Sequence, residues 1–286
     1  MRIQLVLATA LMVVGGSVEA EEDTPRVLFL SKSSGYEHSV IARQDGPSHV
    51  ETVLAAVAKA NGFELQSTKD AGSINAETLE GYDAVVFYTT GDLTEAGSGE
   101  GLFGGDGEPA MTASGVADLR AWVEKGGAFL GFHSAADTFH SADGSPSPYI
   151  DLLGGEFLRH GRQFEGRLKI VDTDHPAMAS VPQGWTVLDE WYAFKNLSSD
   201  AMHVLALLET GSDSFEQELY DLPDYPVIWC RAFGAGRVFY NAMGHREDVW
   251  DRAPFQAAFV DALNWALGLS ELGAGPNFAE VVPTGD

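Results

Sequence analysis

The chain is punctuated by short, unbroken apolar runs: VLFLS at 27–31, YDAVVFYTT at 82–90, GAFLGFHS at 127–134, HVLALLE at 203–209, PVIWCRAF at 226–233 and RVFYNAMG at 237–244. Continuous runs of this kind, rich in Val and Phe, predict strands buried on both faces rather than strands with one wet face. Between the early runs the spacing becomes helical. Val50, Val53, Leu54 and Val57 fall at i, i+3, i+4 and i+7. Val116, Leu119, Trp122 and Val123 form a second such face, and Phe255, Phe259, Leu263 and Ala266 share one side of a last helix. Strand and helix in alternation predict an α/β domain with a mostly parallel sheet and helices on both faces. Gly234-Ala235-Gly236 separates the last two runs and predicts an antiparallel hairpin that closes one edge.

Ligands of such sheets sit beyond the carboxyl ends of the strands. Four polar clusters fall there: Ser33–His38, Gly91-Asp92, His133–Asp137 and Gly244–Glu247. Their shared position predicts one site on one face.

Composition narrows what that site can serve. With 17 Lys+Arg against 42 Asp+Glu the formal net charge is −25, and the bases form no cluster. Nucleic acid and anionic membrane surfaces are therefore not expected as partners. Hydrophobic residues make up 45% of the chain, enough for a large core, which sets it apart from disordered acidic segments. A single Cys excludes an intrachain disulfide and a thiolate metal site. At the N-terminus, Met1-Arg2, an apolar run from Ile3 to Gly16 and then Ser17-Val18-Glu19-Ala20 describe a secretory signal peptide over 1–20. The expected product is periplasmic or secreted, with one α/β domain over 21–268 and a loose tail over 269–286. The sequence sets no oligomeric state.

Histidine works as acid, base or metal ligand near neutral pH, and five stand in notable contexts: His38, His133, His160, His175 and His245. His175, in Asp-His-Pro, suits a turn brace. His133 and His245 each end an apolar strand where a core residue would be apolar, which points to function. Asp189-Glu190-Trp191-Tyr192 joins carboxylates to aromatics, a way to hold a sugar. Adjacent strand residues face opposite ways, so Asp189 and Glu190 are not expected to act as a catalytic pair. The Gly99, Gly101 and Gly104 spacing lies among acids without a Lys, which argues for a lid or surface loop rather than a phosphate cradle. Asn196-Leu197-Ser198 is a glycosylation sequon, and Cys230, in mid-strand, reads as an inert core thiol. His38, His133, His160, Glu190 and His245 match zinc-type donors, yet no local ligand spacing supports them. No metal and no cofactor are expected, and a zinc-type ion stays open.

The segments LSKSSGYEHSV (30–40), GGAFLGFHSAADT (126–138), HPAM (175–178), DEWYAF (189–194) and PVIWCRAFGAGRVFYNAMGHRED (226–248) resemble the trehalose-utilisation, or ThuA-like, family. The resemblance implies a flavodoxin-like doubly wound fold related to class I glutamine amidotransferases, and a role in carbohydrate metabolism on disaccharide-derived or keto-sugars. It places His133 where an amidotransferase carries its nucleophilic Cys, and His245-Arg246-Glu247 on the His-x-Glu pair. Glutamine hydrolysis is therefore not expected. His133, His245 and Glu247 become the catalytic candidates. His38, Ser134, Asp137, His160, Glu190 and Tyr192 become the substrate-binding ones, with a small carbohydrate as partner. A metal-dependent hydrolase and a non-catalytic sugar-binding protein are the alternatives. Family members often carry a Trp/Tyr-rich stretch after the SAADT segment; here Tyr149 is the residue expected to keep part of that surface.

Overall fold

The computed structural model describes residues 24–142, 144–210, 219–220, 224–270, 273 and 275–283. The signal-peptide reading over 1–20 lies outside the described residues. Eleven strands are present among the described residues: β1 Arg26–Leu30, β2 Glu64–Thr68, β3 Ala84–Phe87, β4 Ala128–Phe132, β5 Glu156–His160, β6 Phe164–Ile170, β7 Thr186–Asp189, β8 Tyr192–Lys195, β9 His203–Glu209, β10 Asp224–Phe233 and β11 Gly236–Asn241. Nine of them form one sheet in the order β2-β1-β3-β4-β11-β10-β9-β6-β7, and β5 with β8 forms a small antiparallel pair. The first five strands of that order run parallel.

Helices α1 (His49–Asn61), α2 (Ala76–Leu79), α3 (Gly115–Glu124), α4 (Pro148–Leu153), α5 (Glu247–Trp250), α6 (Ala253–Ala266) and α7 (Phe278–Val281) connect or flank the strands. Alternation along β4 shows how they cover both faces. Phe129 meets Tyr149 of α4, whereas Phe132 meets Phe255 and Phe259 of α6. One odd and one even position thus bury against different layers, each ring contributing roughly 1.5–3 kcal/mol by leaving water. The periodic faces behave as their spacing requires: Val50, Leu54 and Val57 of α1 and Leu119 and Val123 of α3 are buried. Helix α1 starts on a reciprocal capping box between Ser48 and Glu51 and ends on Gly62 in the left-handed region.

Two expectations change. The β10–β11 hairpin lies inside the sheet rather than at an edge, because β9, β6 and β7 extend it with antiparallel strands. Its turn is pressed against α3, and a Cβ at Gly236 would stand 2.1 Å from the Val123 carbonyl oxygen. The C-terminal segment is also not loose throughout. Asn277 exchanges hydrogen bonds with the backbone of Val204 on β9, and His203 Nδ1 donates to Gly275. The Asn277 amide supplies the donor and acceptor that another strand would have offered.

Candidate active site

Because β1, β3, β4 and β11 are parallel, their carboxyl ends share one rim of the sheet. The segments leaving them carry His38, Tyr88, His133 and His245. The β4 exit is a tight strand-to-helix turn in which His133 takes a left-handed conformation, φ 43°. A non-glycine residue there costs on the order of 1 kcal/mol and persists only where its surroundings fix it. Several contacts do so. His133 Nδ1 donates to Ala242 O at 2.8 Å, Tyr240 Oη donates to His133 O, and the imidazole packs at a tilt on Tyr192 with ring centroids 4.3 Å apart.

Since Nδ1 meets a carbonyl, it carries the proton in the neutral ring, and Nε2 keeps a lone pair. That Nε2 lies 3.3 Å from His245 Nδ1 and 3.6 Å from Glu190 Oε2. His245 Nδ1 is 3.2 Å from the same carboxylate oxygen. His38 completes the group, edge-on to His133 and His245 at centroid distances of 5.0 and 5.1 Å. One ligand atom from each of His38, His133, Glu190 and His245 lies within 4.8 Å of all the others. His160 sits outside them, exposed, with Nδ1 3.1 Å from Glu190 Oε1 and 2.9 Å from its neighbour's carbonyl.

The electrostatics follow from this crowding. Burial lowers the His38 pKa well below its ordinary value, and the neighbouring imidazoles push the same way. Burial also opposes charge on His245, but its bond to Glu190 prevails and raises it. Glu190 would be raised by burial, yet His133 and His245 hold it well below the usual carboxylate range.

The fold separates the adjacent acids as strand alternation requires. Glu190 faces the imidazoles, while buried Asp189 accepts from Gly244 N at 2.7 Å and from Glu190 N at 2.9 Å. Asp189 thereby braces the turn that presents His245. Tyr88 Oη and Trp250 Nε1 both donate to Gly244 O on the same turn. Neither Asp189 nor Tyr88 was legible as a support; each reads as part of an apolar or acidic run.

Other candidates fall elsewhere. Glu247 accepts from Ser39 Oγ at 2.7 Å, so the carboxylate that holds His245 is Glu190 and the His-x-Glu spacing makes no pair. Asp137 turns to His140 Nε2 at 2.7 Å. Ser134 is fully buried, and its Oγ has no partner among the described residues. Tyr192 is 3% exposed between His133 and Phe157, so it supports the imidazole rather than offering a face to solvent. Tyr149 is a core residue, wholly buried, with its hydroxyl on Ala135 O.

Three secondary readings resolve as well. His175 Nδ1 accepts from Ala177 N, a turn brace as expected. Asn196 donates to buried Glu156 at 2.8 Å, which ties the sequon side chain into the fold. The glycine-rich loop does meet lysines, from other segments: Lys32 and Lys69 both reach Asp106, and Lys69 also pairs with Glu37. The loop carries Leu102 and Phe103 exposed at 66% and 73%, and Phe103 approaches Tyr36, which packs edge-on to His38. Two surface hollows, one lined by Trp122 and Leu267 and another by Ala56 and Val260, are lined by none of these histidines.

A doubly wound sheet with a strained turn after β4, and a polar rim built at its carboxyl ends, defines a flavodoxin-like fold of the glutamine amidotransferase type, with an imidazole at that turn. The chain belongs to the ThuA family, described as trehalose utilisation, which matches residues 26–266. Similar solved structures include a ThuA-like protein from Bacteroides uniformis, 19% identical, covering 93% of this chain and 100% of that one with a TM-score of 0.63. Another, from Parabacteroides merdae, is 14% identical and covers 92% and 98% with a TM-score of 0.64. A cold-adapted β-galactosidase from Rahnella sp. R3 shares the fold over 87% of this chain and 32% of its own, at 15% identity and a TM-score of 0.51. No curated protein matches the chain.

Proposed function

We propose that this protein is an enzyme of carbohydrate metabolism that acts on a disaccharide-derived or keto-sugar substrate at the histidine cluster. The convergence of His38, His133, Glu190 and His245 carries the reading: four chain segments deliver polar side chains to one rim where a core would be apolar. The family's description, trehalose utilisation, supports a carbohydrate as the substrate. Chemistry beside a keto group needs a group that accepts a proton near neutral pH and a partner for the developing oxyanion, and imidazoles serve both needs. His160, the most exposed of the set, has its Nδ1 committed to Glu190 and the backbone, so Nε2 is the atom that faces a ligand.

Export belongs to the same proposal and rests on the apolar run and small residues of 1–20; N-terminal sequencing of the mature protein checks it. The activity test is a screen of keto-disaccharides and their parent sugars, read by mass spectrometry beside calorimetry. Product formation that His245→Ala abolishes supports the enzyme. Saccharide binding with no product by the wild-type chain replaces it with a sugar-binding protein.

A further inference from the structure

We propose that His38, His133, Glu190 and His245 bind one divalent first-row transition-metal ion of the zinc type. Three imidazoles and a carboxylate make a borderline nitrogen and oxygen donor set, the kind that such ions take. Their ligand atoms lie within 4.8 Å of one another, close enough to share one ion after small rotations.

The orientation of each donor favours an ion over a structural polar cluster. His133 spends Nδ1 on the Ala242 carbonyl, which directs the Nε2 lone pair inward. Glu190 gives Oε1 to His160 and leaves Oε2 facing His133 and His245. A backbone carbonyl behind one ligand and an imidazole behind another are the outer contacts that orient metal ligands. His38 is 3% exposed, and its Nδ1 has no hydrogen-bond partner among the described residues, so no bond there makes the ring a brace. The donors come from four separate strand exits, which is why no compact sequence spacing announces the site.

What the ion does rests on the carbohydrate reading: as a Lewis acid it polarises a keto or hydroxyl oxygen of the sugar, and His160 stays outside the set for proton transfer. Its presence rests on the geometry alone.

The test uses the mature chain. Elemental analysis of protein purified without chelator is expected to give about one equivalent of a transition metal. Protein stripped with chelator is then titrated with Zn²⁺ and with Co²⁺, whose visible bands report nitrogen and oxygen ligation. His38→Ala, His245→Ala and Glu190→Gln are each expected to weaken Co²⁺ binding at least tenfold, with circular dichroism confirming the fold. His49→Ala, at a half-buried histidine paired with Asp251, is expected to keep wild-type affinity. Metal-free protein that binds neither ion overturns the proposal, as does ligand-variant affinity equal to wild type. Turnover by stripped protein in chelator removes the metal and leaves the carbohydrate enzyme. Stoichiometric metal with no turnover of any sugar leaves the centre and removes that activity.

Discussion

His133 and Ala242 are joined by a 2.8 Å hydrogen bond between an imidazole and a backbone carbonyl 109 residues apart. The bond links the exits of two parallel neighbours, β4 and β11, whose last pair in register is Phe132 with Asn241. It therefore fixes the ring against the strand that leads to His245.

The same residue stores backbone strain. Because φ is 43° at position 133, His133→Gly is expected to be more stable than His133→Ala by about 1 kcal/mol. Both variants lose the ring and its packing, so that loss cancels in the comparison. Urea denaturation measures the difference, and equal midpoints would show that the turn is unstrained.

The two carboxylates near His245 separate the local spacing from the observed contacts. Glu190→Gln is expected to lower turnover at least 100-fold, because the carboxylate it removes faces three imidazoles. Glu247→Gln, which alters a carboxylate bonded to Ser39 Oγ rather than to the imidazoles, is expected to stay within about tenfold. Steady-state kinetics on both variants decides, and the reverse order would restore the His-x-Glu pair.

Asp106 pairs with two buried lysines, Lys32 at 2.8 Å and Lys69 at 3.3 Å, and Lys69 is also held by Glu37 at 2.8 Å. Asp106→Ala strips Lys32 of its carboxylate in a dry site, whereas Lys69 keeps Glu37, and it is expected to destabilise the protein by about 3–5 kcal/mol. The glycine-rich loop loses its anchor at the same time. Chemical denaturation and limited proteolysis of the loop report the two effects, and a loss below 1 kcal/mol would contradict the pairing.

Acid should act through Glu156. Burial opposes its charge, but bonds from Ser141, Lys195 and Asn196 lower its pKa from 4.5 to about 2. A depressed folded value means the stabilisation is complete above 4.5 and lost as pH falls towards 2. Glu156→Gln is thus expected to cost about 2 kcal/mol at pH 7 and progressively less below pH 4.5. Thermal melts of both proteins across this range check the sign; a gap that widens in acid would refute it.

In the parallel half, β1, β3, β4 and β11 were legible because each is buried on both faces and shows as an unbroken apolar run, whereas β2, the half-exposed ELQST at the sheet edge, shows none. Of the antiparallel strands, β9 and β10 were equally legible, and β6 and β7 were not. In β6, Phe164–Ile170, buried and exposed residues alternate, and that weaker pattern hid the strands that place the hairpin inside the sheet. The site divides in the same way. His38, His133 and His245 stood out as polar residues at strand exits, and Glu190 as an acid beside aromatics. Which carboxylate meets which imidazole depends on how β7 and β11 lie together, and Glu247, two residues from His245, was the nearer choice along the chain. Asp189 was hidden because its role is to hold the Gly244 backbone, a task with no signature in residue type.

Cys230 gives the chain a built-in reporter of its own integrity. It is the sole thiol, fully buried in β10 beside His175, and burial pushes its pKa well up. Reagents are excluded while the strand is paired, and the thiolate they require is absent there. Each molecule can therefore be labelled only once, and only after β10 has opened. The pace of that labelling counts openings of an interior strand of the sheet, with no engineered probe.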